Sequence, residues 1–418
     1  MGRMSRRTML LGGGAVGAAG AAGALSACGP APDPRSPDWT WSPEGSIPGT
    51  GTGADPRTVW DPEADELVRA LLDRGAVPEV NQTLRAWTTN GQPLPTGLPS
   101  ELADFIERAR ELPPWADPAK LVAAADFNQR RGYYLGVTYG FASGMMSTVI
   151  PREARAVYYS KGGADMRDRI AKTAKLGYDV GSHNAFRPDG QMIVTCVKTR
   201  LAHAGVRNLL PSSEAWRRVA DESVPISQHD LMVTWHSLPT TVMQNLVKWK
   251  VPMPPVDSEA FLHSWQVTAH MLGIRDEYIP RSWHEANAQA EQVLTPVLAP
   301  TPEGIALADM LLDLASDIDG GQITRPHLGS LTRYVLGDEI AGWLQIPRDA
   351  FWDDLFQNGW PTFVAIREAI LELEQSPGPI QDAYWAFDEI LRLGALFYLS
   401  EGDFPISIEI PVNNNPRY

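Results

Sequence analysis

Eight histidines hold most of the options for metal or acid–base chemistry: His183, His203, His229, His236, His263, His270, His284 and His327. None forms the His-Glu-x-x-His pair of a zinc protease, and two cysteines, Cys28 and Cys196, are too few for a paired-cysteine zinc site. The chain has no Gly-x-Ser-x-Gly elbow, no phosphate-binding P-loop and no credible dinucleotide fingerprint; Gly12-Gly13-Gly14 lies in an N-terminal apolar run. Hydrolase, kinase and nicotinamide chemistry therefore lack support. Two helical segments stand out instead. In Met166–Leu176, Arg169, Lys172, Thr173 and Leu176 fall at i, i+3, i+4 and i+7 and share one face, beside an apolar face of Met166, Ile170 and Ala174. In Gln191–Arg207, Ile193, Val197 and Leu201 mark a buried stripe, and His203 shares a neighbouring face with Met192, Cys196 and Thr199. Ala202, Ala204 and Gly205 flank His203, so a flat macrocycle could approach the helix there. By pattern alone, the more ordinary readings are a solvated basic face for the first segment and a core histidine bonded to a carbonyl for the second.

The elements that must position these residues read as helices. Asp61-Pro62-Glu63 looks like an N-cap followed by proline in the first turn, opening a helix through Leu72. Ser100–Leu112 and Asp117–Arg131 follow the same logic. Segments from Ser227, Ser258, Pro302, Ser330 and Ile380 carry apolar residues three and four apart. Alternating strand-like stretches are scarce. Ile406–Val412 is the best, and its flanking prolines and terminal position make it an ordered tail. The fold class expected is all-α.

Composition bounds the rest. With 44% hydrophobic and 21% charged residues the chain is of ordinary globular composition. A net charge of −14 excludes a nucleic-acid partner, which demands a basic footprint. Fourteen tryptophans suit a core or channel against a large apolar ligand, although structural burial is the commoner use. Ser5-Arg6-Arg7-Thr8-Met9-Leu10-Leu11 reads as a twin-arginine export signal, the route for proteins that fold, and take up a cofactor, before leaving the cytoplasm. The Gly/Ala-rich run after it is a poor membrane span. It ends in Leu25-Ser26-Ala27-Cys28, a lipobox-like site at which Cys28 would be lipidated, making a lipoprotein of the outer membrane face. Residues 29–58 are rich in Pro, Gly, Ser and Thr and read as a flexible linker. The organisation expected is a signal over 1–28, a linker over 29–58 and one helical domain over 59–418.

Read together, the two segments resemble latex clearing proteins, haem b oxygenases that cleave the double bonds of rubber, within a wider family of helical haem oxygenases. The likeness rests on ordered spacing: Glu153 in Ile150-Pro151-Arg152-Glu153, then Arg169-x-x-Lys172-Thr173, then His203 in Thr199-Arg200-Leu201-Ala202-His203-Ala204-Gly205-Val206-Arg207. It covers roughly residues 60 to 400 and displaces both ordinary readings. It implies a globin-like helical core with additional surrounding helices. It makes His203 the proximal ligand of haem iron and Lys172 a distal ligand in a closed state, neutral when bound and therefore buried. Arg169 and Thr173 would line the distal side, with Arg169 orienting oxygen or contacting haem. Glu153 would be the base that takes an allylic proton from the isoprene unit.

The activity this resemblance implies is dioxygen-dependent cleavage of poly(cis-1,4-isoprene) to oligo-isoprenoids with aldehyde and ketone ends, by an exported, monomeric enzyme. Two alternatives stay open: a related haem oxygenase acting on a smaller isoprenoid or lipid, and a non-catalytic haem oxygen-binding or sensor protein. The lipobox-like Cys28 is not general in the family and leaves the final location, surface-tethered or freely secreted, undecided.

Overall fold

The structure is a computed structural model that describes residues 38–160, 166–318, 322–373, 378–402 and 405–413. The export signal, Cys28 and residues 29–37 lie outside the described residues. From Trp39 onward the chain is a body of helices, with an isolated antiparallel bridge between Ser46 and Pro280 in place of any sheet among the described residues. The all-α expectation holds.

The longer helices are α1 (Pro62–Asp73), α2 (Val77–Leu84), α3 (Ser100–Ala109), α4 (Pro118–Val137), α5 (Pro151–Tyr159), α6 (Met166–Val180), α7 (Met192–Leu209) and α8 (Gln228–Trp235). They continue as α9 (Thr241–Lys248), α10 (Pro255–Met271), α11 (Trp283–Val293), α12 (Pro302–Asp317), α13 (Arg325–Leu336), α14 (Trp360–Leu373) and α15 (Pro379–Leu399). Their starts follow cap chemistry. Asp61 accepts from the Ala64 amide with Pro62 at the first position, as expected from sequence. Ser227 and Asp230 close a reciprocal capping box on α8. The helix expected from Ser330 begins five residues earlier, because Pro326 pre-sets its first turn.

Two helices do not run straight. After Val137, α4 passes into a π-helical stretch, Thr138–Gly144, and then a short α-turn, Met145–Ser147. Gly132, Gly136, Gly140 and Gly144 stand four apart along this run, and glycine weakens α-helical order by about 1 kcal/mol per residue. A second π-helical stretch, His236–Thr240, joins α8 to α9 around Pro239, whose nitrogen has no proton to donate. Such widened turns concentrate at functional sites.

Helix α10 packs along α4, α1 along α7, and α6 along α7; α15 covers both α4 and α6. The common core includes Phe127, Tyr134, Cys196, Leu201, Trp235 and Trp265. Trp87, Trp216 and Trp265 are fully buried, so at least these tryptophans are core packing.

The linker expected over 29–58 is corrected for its second half. Ile47 donates to the Ile279 carbonyl at 2.9 Å, Arg281 donates to Gly45 at 2.9 Å, and Tyr278 Oη donates to Ala54 at 3.0 Å. Trp39 packs edge-on against Tyr278. A Pro/Gly-rich strap needs few apolar side chains when its backbone finds partners on a neighbouring loop. The C-terminal segment behaves as expected of an ordered tail: Ile410 exchanges two hydrogen bonds with Asn81, at 2.8 and 3.0 Å, without joining a sheet.

Candidate functional site

Helix α7 is the fixed element. Its first turn leaves amides that Gln191 does not cap, and the Asn90 carboxamide accepts from Ile193 at 3.0 Å instead. Buried Lys198 donates to the carbonyls of Leu84 and Trp87, both at 2.8 Å. Arg200 forms a bidentate pair with Asp61 at 2.6 and 2.9 Å, and Arg207 reaches Asp65 at 2.6 Å. Four contacts from the N-terminal helices and turns thus hold the turns on either side of His203.

His203 itself is left bare. Its Nδ1 is buried without a hydrogen-bond partner. Burial drives its pKa down to about 3, and the charges of Arg207 and Arg169 add to the drop, so the imidazole is neutral. Most other histidines have protein partners. His236 bonds Thr240 and Gln289, His263 accepts the Asp117 amide at 2.8 Å, and His270 bonds Asp276 at 2.6 Å. His229 also has a bare Nδ1 but stands 3.9 Å from the Asp230 carboxylate.

Glu153, on the first turn of α5, also carries an unpartnered oxygen, its buried Oε2. Burial pushes its pKa up to about 8; Thr234 opposes the rise and the charge of Asp230 adds to it. Thr234 also donates to the Asp230 carbonyl at 3.1 Å, so its support of the Glu153 carboxylate is partial. His203 and Glu153 both lie deep in protein and both keep some uncovered surface. Tyr139, on the π-helical stretch, has the same character; it accepts from Trp265 Nε1 at 3.3 Å, and Gly177 of α6 is flat against its ring.

The basic turn of α6 is differently placed. Arg169 donates to Ser160 and lies close enough to His203 to influence its charge. Lys172 pairs with Asp168 at 2.7 Å, one turn back on the same helix. Thr173 is exposed and donates to the Arg169 carbonyl at 3.0 Å. The buried, neutral lysine expected from sequence is here a half-buried lysine facing a carboxylate. Among the described residues no hydrogen bond or ion pair joins Lys172 to His203 or Glu153. The geometry brings His203 and Arg169 into one electrostatic neighbourhood and gives Lys172 and Thr173 local partners.

Sequence reading misplaced one feature and missed another. The small residues after His203 do not leave room for a macrocycle at Gly205, where an added Cβ would meet Pro411 at 2.6 Å; glycine is required there by the C-terminal tail. The side-chain-free surface lies on α4 and its π extension. Gly136 and Gly140 are exposed, and a Cβ on either would touch nothing within 4 Å. The four-residue glycine spacing was the available signal.

The residues present suit an iron macrocycle. A neutral imidazole with an unsatisfied nitrogen is the usual donor to haem iron. The described residues hold no cluster of three or more His, Cys, Asp and Glu, so a multi-ligand site for a free metal ion is not among them.

Residues 130–366 match a family described as ER-bound oxygenase mpaB/B'/Rubber oxygenase, catalytic domain. That span contains Glu153, Arg169, Lys172, Thr173 and His203. A curated relative named rubber oxygenase, from Streptomyces sp. (strain K30), is 51% identical over 418 residues, covering 100% of both chains. A solved structure of latex clearing protein in the closed state aligns with a TM-score of 0.81 and 52% identity, over 89% of this chain and 99% of that one.

Proposed function

The chain belongs to the mpaB and rubber oxygenase catalytic-domain family, and from that premise we propose that it is a haem b-dependent dioxygenase of poly(cis-1,4-isoprene). The observation that carries the reading is the pair of deep, bare groups, His203 and Glu153, inside the matched domain. Buried polar atoms are rarely left unpartnered without a reason, and a ligand to iron and a base toward substrate would supply two. Bound haem would supply the activation of dioxygen.

The protein's residues do the remaining work. His203 would hold the haem iron, on a helix fixed by the anchors of α7. Arg169 would bring positive charge to the same neighbourhood, suited to orienting oxygen or pairing with a haem carboxylate. Lys172 would be the distal residue, giving up Asp168 to reach the iron, and Thr173 would lie on the same side. Glu153 would take an allylic proton from the isoprene unit at its carboxylate oxygen. Cleavage of one double bond would leave an aldehyde end and a ketone end. We also propose export by the twin-arginine route, Cys28 as a lipidation site, and a monomeric enzyme.

The test is direct. Purified protein should show the Soret absorption of haem, and incubation with polyisoprene latex and oxygen should release aldehyde-bearing oligomers. Activity on a short isoprenoid without activity on latex would replace rubber with a smaller substrate. A haem-free protein inert toward both would end the reading.

A further inference from the structure

Helices α14 and α15 pack Trp360, Val364, Leu396 and Leu399 inward, yet each also turns a row of large apolar residues outward and buries ion-paired charges. A surface helix ordinarily turns its apolar side to the core and its charges to water. On α15, Phe387, Ile390 and Phe397 are 54%, 68% and 60% exposed, with Leu391 and Leu393 exposed beside them. Phe387, Ile390, Leu391 and Phe397 recur at the spacing that places residues on one side of a helix. Asp388, on the same helix, is buried; it pairs with Arg367 of α14 at 2.7 Å and accepts the Tyr133 amide at 3.0 Å. Helix α14 repeats the pattern. Phe363 and Ile366 are exposed, while Arg367 and Glu368 are buried, and Glu368 pairs with Arg131 at 2.9 Å.

Ion pairs inside and hydrocarbon outside is an arrangement that water penalises on both counts. Buried pairs seldom recover their desolvation cost, and a contiguous apolar patch marks an interaction surface. The environment it fits is apolar and uncharged. No described helix is long and apolar enough to cross a membrane, so the occupant lies against the face. The chain's net charge of −14 disfavours both an anionic lipid surface and a second copy of itself. A neutral hydrocarbon solid carries no such repulsion.

The face is also joined to the candidate site. Leu396 and Leu399, on the inner side of α15, cluster with Ala171 of α6, flanked by Ile170 and Ala174. These residues interleave with Arg169, Lys172 and Thr173. A polymer strand on α15 would therefore rest about one helix packing distance, on the order of 10 Å, from the distal turn.

We infer that the outward face of α15, together with Phe363 and Ile366, is the surface by which the protein holds on to solid polyisoprene, separate from the residues that act on the double bond. The inference rests on the proposed substrate. Its test uses holoenzyme carrying Phe387→Ser, Ile390→Ser and Phe397→Ser together. The fraction sedimenting with washed latex particles should fall about tenfold or more. Turnover of a short, water-dispersed isoprenoid, the Soret band and the thermal midpoint should stay as in the wild type. Ile390→Asp alone serves where the triple variant fails to fold, and should weaken latex binding severalfold. Unchanged sedimentation of the folded variants overturns the proposal. So does a wild-type dimer that these substitutions dissociate while latex binding is unaltered, and so does wild-type binding to phosphatidylglycerol vesicles as tight as to latex. Should the wild type turn over neither latex nor the short isoprenoid, the functional reading falls, while the sedimentation comparison still decides this one.

Discussion

Helix α7 around His203 is tied to other parts of the chain, whereas Lys172 and Thr173 on α6 are tied to their own helix. Lys198, Arg200 and Arg207 reach carbonyls and carboxylates near the N-terminal helices. Lys172 and Thr173 reach back one turn to Asp168 and to the Arg169 carbonyl. Helix α6 does have outside attachments, through Arg169 to Ser160, Lys175 to Gln191, Arg167 to the Tyr398 carbonyl and Tyr178 to Glu389, but none of them involves Lys172 or Thr173. The difference teaches a division of labour. On the proposed reading, the residue that would hold the cofactor sits on a helix fixed by long-range pairs, and the residue that would come and go is held by a pair it can exchange.

The largest effect that can break this comparison is loss of cofactor. His203→Ala should reduce the Soret band of the purified protein to background, while Lys172→Ala keeps it and alters the resting-state spectrum. Equal retention in both variants would remove the asymmetry. A smaller effect is on rate. Glu153→Gln should keep haem and lower kcat by about 10²–10⁴. The wild-type rate should rise with pH through about 8, where Glu153 loses its proton, and the variant's should stay flat. The same shift has a stability consequence of defined sign. Because folding raises the Glu153 pKa, its contribution favours the folded state below the ordinary carboxylate range and is lost as pH rises through about 8. Glu153→Gln should therefore lose less stability than the wild type on the alkaline side in urea unfolding. The smallest effect compares the two helices' pairs. Arg200→Ala strands buried Asp61 and should cost about 3 kcal/mol in urea unfolding. Asp168→Ala removes a half-buried pair within one helix and should cost less than about 1 kcal/mol. A reversed order would mean that α6, not α7, is the rigid wall.

Much of the helical framework was legible because its signals are local. Asp61 and Asp117 cap the helices they were expected to open, and the segment expected from Ser227 is a helix. The site was legible only in part. His203 was singled out by its small neighbours, Ala202, Ala204 and Gly205, but nothing local says that Pro411 packs against Gly205. The open glycines of α4 followed a readable spacing, yet whether a glycine meets a tail, a ring or empty space is settled by tertiary contact. The strap over 39–58 was read as a linker because composition reports side chains, and this segment is held largely by its backbone.

That strap sets the working radius of the enzyme. Were Cys28 anchored by lipid and the chain loose as far as Thr58, thirty residues would allow a span of up to about 100 Å from the membrane. With Trp39 already docked on Tyr278, ten residues separate anchor and body. Even fully extended, ten residues would reach only about 35 Å. An enzyme so anchored could not forage: its substrate would have to touch the cell, and the cell would act only on polymer it grows against.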